Sequence, residues 1–279
     1  TDLPFSENIR SFTSDNLGNV YAGAQFSGVY LSTNNGNTWN RVNEGLTTRN
    51  IEVMASTPNG YVFAGTMTGV FRTTNQGINW EKINIAIYPS DVSTLHVTDD
   101  GVLYAGTYDQ GISRSFDNGD TWQQVNFGLS SITGSQFPVI YSITSDPKNQ
   151  VYAGSYLDGV FYLNSIEDRW FKSNHNLTDE TVYCLSALND NTLLAGTSRG
   201  GIYSTNTNTI NWVEKNKGIY ATDIYDLFVG LDGYVFASVF GRGIYASSDN
   251  GRSWELENSG LNTPYIFSVV ANSEGVLFA

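Results

Sequence analysis

The sequence predicts an all-β fold made of repeated four-stranded sheets. Three observations lead there: the composition, the regular spacing of the tryptophans and a hairpin turn that recurs along the chain. Of the 279 residues, 14% are aromatic and 15% are charged, and 28 are glycine. This composition favours short strands joined by tight turns over helices.

Six tryptophans divide the chain into copies of one repeat. They stand at positions 39, 80, 122, 170, 212 and 254, so the successive gaps are 41, 42, 48, 42 and 42 residues. Each copy contains an apolar strand such as IEVMAS, a turn, a second strand such as YVFAG, a third strand such as GVFRT, and a polar turn that leads through Trp into a fourth strand. Four-stranded units repeating every 40 to 45 residues are typical of a β-propeller.

The turn between the first and second strands occurs seven times, which decides the predicted number of blades. Gly or Asn at its tip, as in TPNGYVFAG and TDDGVLYAG, tolerates the positive φ of a tight hairpin. Complete blades are predicted at about residues 8–43, 50–84, 91–126, 139–173, 181–215 and 223–258, with a first and second strand only at 265–279. We therefore expect residues 1–279 to form a single propeller domain, most simply seven-bladed with a partial seventh blade, within a longer chain.

Charge, apolar runs and cysteine content limit the partners, membrane segments and reactive groups that can be expected. The net charge of -13 argues against nucleic acid as a partner, because those interfaces are built from clustered Lys and Arg. No stretch reaches the roughly 18 apolar residues of a membrane span, so membrane insertion is not expected. The single cysteine, Cys184, lies in VYCLSA and is interpreted as a packing residue. No cofactor is predicted.

The octapeptide SFDNGDTW, residues 115–122, raises the question of a calcium loop, whose oxygen ligands alternate around a glycine. The third position of the other boxes, STNNGNTW, TTNQGINW, LNSIEDRW, TNTNTINW and SSDNGRSW, is Asn, Asn, Ser, Thr and Asp, so most copies offer fewer carboxylates than a divalent ion needs. We therefore predict no metal site and a structural turn. The turn residues are Asn34, Gly36, Trp39, Asn75, Gly77, Trp80, Asp117, Gly119, Trp122, Trp170, Trp212, Asp249, Gly251 and Trp254.

The pattern Ser/Thr-x-Asp-x-Gly-x-x-Trp resembles the Asp-box, or BNR repeat, of sialidases, secreted glycosidases, sortilin-type receptors and photosystem II assembly factors. The resemblance covers essentially the whole chain, with four good boxes and two degenerate ones. It implies that the box is a hairpin between the third and fourth strands at the outer rim, away from any ligand.

The loops between the second and third strands are the predicted ligand-binding face. Their sequences differ from blade to blade, as expected for functional loops and not for interchangeable spacers. Their candidate residues are Phe26, Met67, Tyr108, Asp109, Tyr156, Asp158, Arg199, Phe240 and Arg242. Loops between blades add Phe5, Tyr88, Phe137, Tyr220 and Tyr265, and a six-residue insertion falls in GLSSITGSQFPV. Aromatic rings with a few charges suit a glycan or a peptide; alternatively, the rings only pack the ends of the blades.

Two functions of different class remain open at this point. Asp109 and Asp158 occupy nearly equivalent positions in neighbouring blades, so they could serve as the acid and base of a polysaccharide-active glycoside hydrolase. Sialidase activity is not expected, because the early Arg-Ile-Pro motif and the arginine triad of those enzymes have no counterpart here.

The other reading is a non-catalytic extracellular module for binding, adhesion or scaffolding, which presents its aromatic and acidic face to a glycan or protein partner. The regular, acidic, Asn- and Thr-rich repeats resemble those of secreted and surface proteins of bacteria, and this is the reading we prefer. The expected location is secreted or at the bacterial cell surface, with the periplasm as an alternative.

Overall fold

A computed structural model of the chain describes residues 8–83, 91–230, 233–272 and 274–279. The fold is all-β, with six four-stranded antiparallel sheets in which the strands follow one another in chain order, and one two-stranded sheet. Each four-stranded sheet corresponds to one predicted blade. Within these described ranges, no helix is long and apolar enough to cross a membrane.

The described residues fall into two compact units. The first unit extends to Val125 and also includes Val270–Ala279. Its first blade consists of β1 to β4, at Ile9–Ser14, Val20–Ala24, Gly28–Ser32 and Asn40–Arg41. The second and third blades consist of β5 to β12, at Ile51–Ser56, Val62–Thr66, Gly69–Thr73, Glu81–Ile83, Val92–Val97, Leu103–Thr107, Ile112–Ser115 and Gln123–Gln124.

The second unit is Asn126–Val269 and holds the fourth, fifth and sixth blades. The fourth blade consists of β13 to β16, at Ile140–Ser145, Val151–Ser155, Gly159–Asn164 and Arg169–Lys172. The fifth and sixth blades consist of β17 to β24, at Val182–Ala187, Thr192–Thr197, Ile202–Asn206, Val213–Glu214, Ile224–Val229, Val235–Val239, Gly243–Ser247 and Glu255–Leu256.

The prediction of seven blades is wrong. The structure has six, and the last segment forms only the two-stranded sheet of β25 (Val270–Ala271) and β26 (Leu277–Phe278). Two strands of two residues each cannot build a hydrophobic face of their own, so they use that of the first blade. The ring of Phe278 lies 6.2 Å from that of Phe12 and 6.0 Å from that of Trp39.

The second strand of each blade is almost entirely buried, as VYAGS in β14 illustrates. The Ala-Gly pair of β14 lets the first strand of the next blade approach closely. A Cβ added at Gly154 would lie 2.8 Å from Cγ1 of Val182 in the neighbouring first strand. Tryptophan side chains also connect successive blades. The indole N–H of Trp212 in the fifth blade donates to the carbonyl of Ser173 after the fourth over 2.6 Å, and the Trp212 ring is buried.

The octapeptide at residues 115–122 forms a compact turn. The backbone N–H of Gly119 donates to the Ser115 hydroxyl over 2.8 Å, and that of Thr121 donates to Asp117 Oδ1 over 2.8 Å. The Thr121 hydroxyl donates to the second oxygen of Asp117 over 2.6 Å. Hydrogen bonds from Thr121 are the main reason that the pKa of Asp117 is lowered. The Asp117 carboxylate therefore stabilises the turn by accepting these hydrogen bonds.

Candidate functional site

A β-bulge interrupts the first strand of every blade at its second position. In the second unit, the pairing register shifts between Ile140 and Ser142, between Val182 and Cys184, and between Ile224 and Asp226. The three skipped residues are Tyr141, Tyr183 and Tyr225. A bulge takes one residue out of the ladder and redirects its side chain, and such bulges are common beside functional sites.

These tyrosines form a continuous row of rings that we call the aromatic row: Tyr141, Tyr183, Tyr225 and Phe267. Ring centroids are 5.4 Å apart from Tyr141 to Tyr183, 5.3 Å from Tyr183 to Tyr225, and 5.6 Å from Tyr225 to Phe267. All four side chains are half-buried. Because each ring contacts the next, the row is a preformed surface.

Loop residues extend the row toward solvent. The ring of Tyr156 meets that of Tyr141 edge-on at 6.2 Å, and the ring of Phe240 meets that of Tyr225 at 5.3 Å. Tyr265 lies 5.3 Å from Phe240. These three side chains are 40%, 44% and 55% exposed, respectively, so an incoming molecule can contact them.

Beside the row lies an open cavity of about 730 Å³, which we call the acidic cleft. The residues that line it include Tyr156 and Tyr183 and four charged residues, Asp179, Glu180, Arg199 and Asp223. Three of these residues are acidic and one is basic, so the lining is negative.

The carboxylate of Asp179 holds the loop that forms one wall of the cleft. It accepts hydrogen bonds from the backbone N–H groups of Arg199 over 2.6 Å and Gly200 over 3.0 Å, and from that of Thr181 over 3.0 Å. The pKa of Tyr183 is raised, first by burial and then by the neighbouring Tyr225 and by the charges of Asp223 and Asp179. The Tyr183 hydroxyl therefore remains protonated at neutral pH.

The same bulge positions carry different chemistry in the first unit. There they hold Arg10, Glu52 and Ser93, and the first two form an ion pair at 3.9 Å. Burial and Glu52 raise the pKa of Tyr108, while Arg10 acts in the opposite direction. This unit has a polar surface where the second unit has rings.

The predicted face residues are distributed over both units. Tyr156, Arg199 and Phe240 come together at the aromatic row and the acidic cleft. In the first unit the side chains of Phe26 and Met67 are 75% and 51% exposed, and those of Tyr108 and Asp109 are also exposed. Arg242 and Tyr220 are exposed in the second unit, and Phe137 is half-buried. Phe5 and Tyr88 lie outside the described residues.

Asp158 has a buried environment that the sequence did not indicate. Its side chain is fully buried, and it pairs with Lys172 Nζ at 2.8 Å. Its two oxygens also lie 3.2 and 3.3 Å from the backbone nitrogen of Ile132, in the inserted loop. This carboxylate thus anchors the insertion to the fourth blade.

Two groups of site residues were missed at the level of sequence. One is the aromatic row, whose signal is the second residue of IYS, VYC, IYD and IFS in successive repeats. The other is an asparagine after the fourth strand of a blade, as at Asn43, Asn174, Asn216 and Asn258. Asn216 Oδ1 accepts the N–H of Ile202 over 2.8 Å, and its Nδ2 donates to the carbonyl of Gly200 over 2.8 Å. This side chain fixes the loop that carries Arg199.

Comparisons with known proteins identify one family whose sequence model matches this chain. A sequence model of the Sortilin-Vps10 family, described as sortilin, neurotensin receptor 3, matches residues 27–239. No curated protein is matched by the sequence. The predicted resemblance to Asp-box (BNR) propellers is confirmed.

Three solved propellers illustrate the similarity of fold. The extracellular domain of BT3049 from B. thetaiotaomicron has a TM-score of 0.79 at 14% identity, and the match covers 98% of this chain and 38% of that chain. YCF48 bound to D1 peptide has a TM-score of 0.75 at 16% identity, with 97% and 87% covered. The xyloglucanase of Xanthomonas campestris, a GH74 enzyme, has a TM-score of 0.70 at 16% identity, with 89% and 45% covered. The chain thus spans less than half the length of two of these structures.

Proposed function

The chain belongs to the Sortilin-Vps10 family, and we propose that it is a non-catalytic binding module whose aromatic row receives an extended peptide segment of a protein partner. The observation that carries this proposal is the placement of Tyr141, Tyr183 and Tyr225 at the bulges of three successive blades. Repeated use of one bulge position produces a continuous run of rings, which suits an extended ligand that passes from one ring to the next.

The spacing of the rings favours a peptide. Their centroids are 5.3 to 5.6 Å apart, and alternate residues of an extended chain are about 6.6 Å apart, so successive side chains on one side of a peptide can each meet a ring. The rings of Tyr183 and Tyr225 are stacked with planes 11° apart, so they cover one another's faces. A sugar would need those faces open to pack against them, whereas a peptide can use the ring edges and hydroxyl groups.

Among the similar structures, YCF48 is bound to a peptide and the GH74 protein is an enzyme. The environment of Asp158 in this chain favours peptide binding over hydrolysis. Asp158 is buried and engaged with Lys172 and Ile132, so it is poorly suited to exchange protons with a substrate in solvent. The alternative function, hydrolysis of a polysaccharide by Asp109 and Asp158, therefore has less support than peptide binding. An extracellular location remains part of the proposal.

Panning a display library of random peptides against the intact chain tests the proposal. Selected peptides are then titrated by calorimetry into the wild type and into Phe240→Ala and Tyr265→Ala variants, which remove exposed rings from the edge of the row. We expect each variant to weaken binding about tenfold, since truncation of an aromatic ring that contacts the ligand can cost more than about 1 kcal/mol.

The matched control is Phe116→Ala, which removes an aromatic ring that is 67% exposed on an outer hairpin. It should leave peptide affinity unchanged. A glycan array is screened in parallel with the same variants. Peptides that bind all variants equally, or glycans that bind in place of peptides and lose affinity in the row variants, would overturn the proposal.

A further inference from the structure

We propose that the acidic cleft binds the side chain of a lysine or arginine in the partner peptide. This inference rests on the proposed function, because the cleft continues the aromatic row through Tyr183 and Tyr156. It adds a rule of specificity: the peptide must carry a cation near the residues that contact the row.

The first supporting observation is the cavity and its charge. A space of about 730 Å³ opens to solvent beside Tyr183, and its charged lining consists of Asp179, Glu180, Asp223 and Arg199. The three carboxylates and one guanidinium leave a net charge of about -2 at neutral pH. The whole chain, at -13, adds a long-range attraction for cations.

The second observation is that two of the carboxylates are available to a ligand. Asp179 is occupied by backbone N–H groups of the loop at Arg199 and Gly200. By contrast, neither Asp223 nor Glu180 has a side-chain hydrogen bond or ion pair with any described residue. The backbone carbonyls of Asp223 and Glu180 accept the N–H groups of Phe240 and Gly159, so the backbone of both residues is fixed where they line the cavity.

The third observation is the aromatic wall. Tyr156 and Tyr183 line the same cavity as these carboxylates. An ammonium or guanidinium group is attracted both to ring faces and to carboxylates, whereas an acidic group is repelled by both. Arg199 is exposed on a loop, so its flexible side chain can turn toward solvent when a cation enters. A norleucine side chain would fit the same space without either attraction.

The test uses four defined probes: the Nα-acetyl methylamides of lysine, arginine, norleucine and glutamate. Each is titrated into the intact chain, and binding is measured by saturation-transfer NMR and by the ring resonances of Tyr156 and Tyr183. We expect the lysine and arginine probes to bind at least about fivefold more tightly than norleucine, and glutamate not to bind. High salt should remove most of this preference.

The variant is Asp223→Asn, which keeps the shape of the side chain and removes the charge. It should weaken lysine binding about fivefold and leave norleucine binding unchanged. The matched control Asp99→Asn removes an exposed carboxylate from the third blade and should have no effect. Equal binding of lysine and norleucine, or an equal effect of the two variants, would overturn this inference.

Failure of this inference can be told apart from failure of the proposed function. Peptides selected on the intact chain that lose affinity in Phe240→Ala, yet keep it when their lysines are replaced by norleucine, would leave the binding module standing without a cation requirement. Probes that bind with the expected charge preference, together with selected peptides that are indifferent to Phe240→Ala, would retain the cleft and reject the row.

Discussion

Tyr183 and Tyr225 stack with their ring centroids 5.3 Å apart and their planes 11° apart, although they come from first strands of different blades. The Tyr225 ring also meets Phe240 at 5.3 Å and Phe267 at 5.6 Å. One ring therefore connects the fifth blade, the sixth blade and the segment that follows it.

This position of Tyr225 predicts a loss of stability on its removal. Tyr225→Ala should lower the free energy of unfolding by about 2 to 3 kcal/mol, because three aromatic contacts of a half-buried ring are lost. Tyr225→Phe should keep most of the stability. Urea unfolding followed by tryptophan fluorescence measures both, with Tyr220→Ala as the control, since that side chain is 87% exposed. Equal effects of the two alanine variants would contradict the packing described for Tyr225.

The pair of Asp158 and Asp109 gives a second prediction, since the two residues occupy similar loop positions and differ in burial. Asp158→Ala should cost about 3 kcal/mol, because it leaves Lys172 and the N–H of Ile132 without their partner. Asp109 is exposed, so Asp109→Ala should change stability by less than about 0.5 kcal/mol. Thermal and urea unfolding compare them.

The same two positions bear on the alternative function. Turnover of a polysaccharide that is lost in Asp109→Asn while stability is retained would contradict the non-catalytic account. A broad panel of polysaccharides with product analysis makes this measurement.

The two hydrogen bonds of Asn216 to the loop of the acidic cleft give a third prediction. Asn216→Ala removes two hydrogen bonds to the loop at Gly200 and Ile202 and should cost about 1 to 3 kcal/mol. Because the loop also carries Arg199, hydrogen exchange at its amides should become faster in this variant. Asn262→Ala, at an exposed position in the loop after the sixth blade, is the control and should leave exchange at Arg199 unchanged.

The turn that contains Asp249 predicts a specific dependence on pH. Hydrogen bonds from Ser253, above all from its hydroxyl, lower the pKa of Asp249 from 3.8 to about 2. A carboxyl whose pKa is lower in the folded protein stabilises it fully above its unfolded pKa, and this contribution is lost as the pH falls from 3.8 towards about 2.

Asp249→Asn should therefore reduce the loss of stability on acidification. Asn occupies this box position naturally at Asn34, where its side-chain oxygen accepts the N–H of Thr38 over 2.9 Å. Urea midpoints of the wild type and the variant, measured between about pH 5 and pH 2, should fall more steeply for the wild type. Parallel curves would show that the carboxylate of Asp249 contributes nothing specific to acid stability.

The repeat pattern predicted much of the fold because its signals are local. The Gly119 turn depends on neighbouring residues of one repeat, and Trp212 stands at the same place in its repeat as the other tryptophans, so their spacing predicts strand order and antiparallel pairing. The number of blades depends on how the last residues pack, and the sequence near Phe278 does not reveal that they use the face of Phe12. That contact joins opposite ends of the sequence, which no periodic pattern encodes.

The candidate site was predictable in part. Tyr156 and Phe240 stand out because their loops differ between repeats. Tyr183 sits in an ordinary-looking strand, VYCLSA, and only the bulge between Val182 and Cys184 redirects it toward the site. Bulges arise from strand pairing in three dimensions, so alternation of apolar and polar residues does not predict them.

Peptide binding at the aromatic row is tested most directly by an NMR titration of the intact chain, labelled at its tyrosine rings, with a peptide selected on it. The ring signals of Tyr141, Tyr183 and Tyr225 should shift together as the peptide is added, while that of Tyr61 in the second blade should not. Shifts confined to Tyr61 or to other tyrosines outside the aromatic row and the acidic cleft would contradict peptide binding at the row.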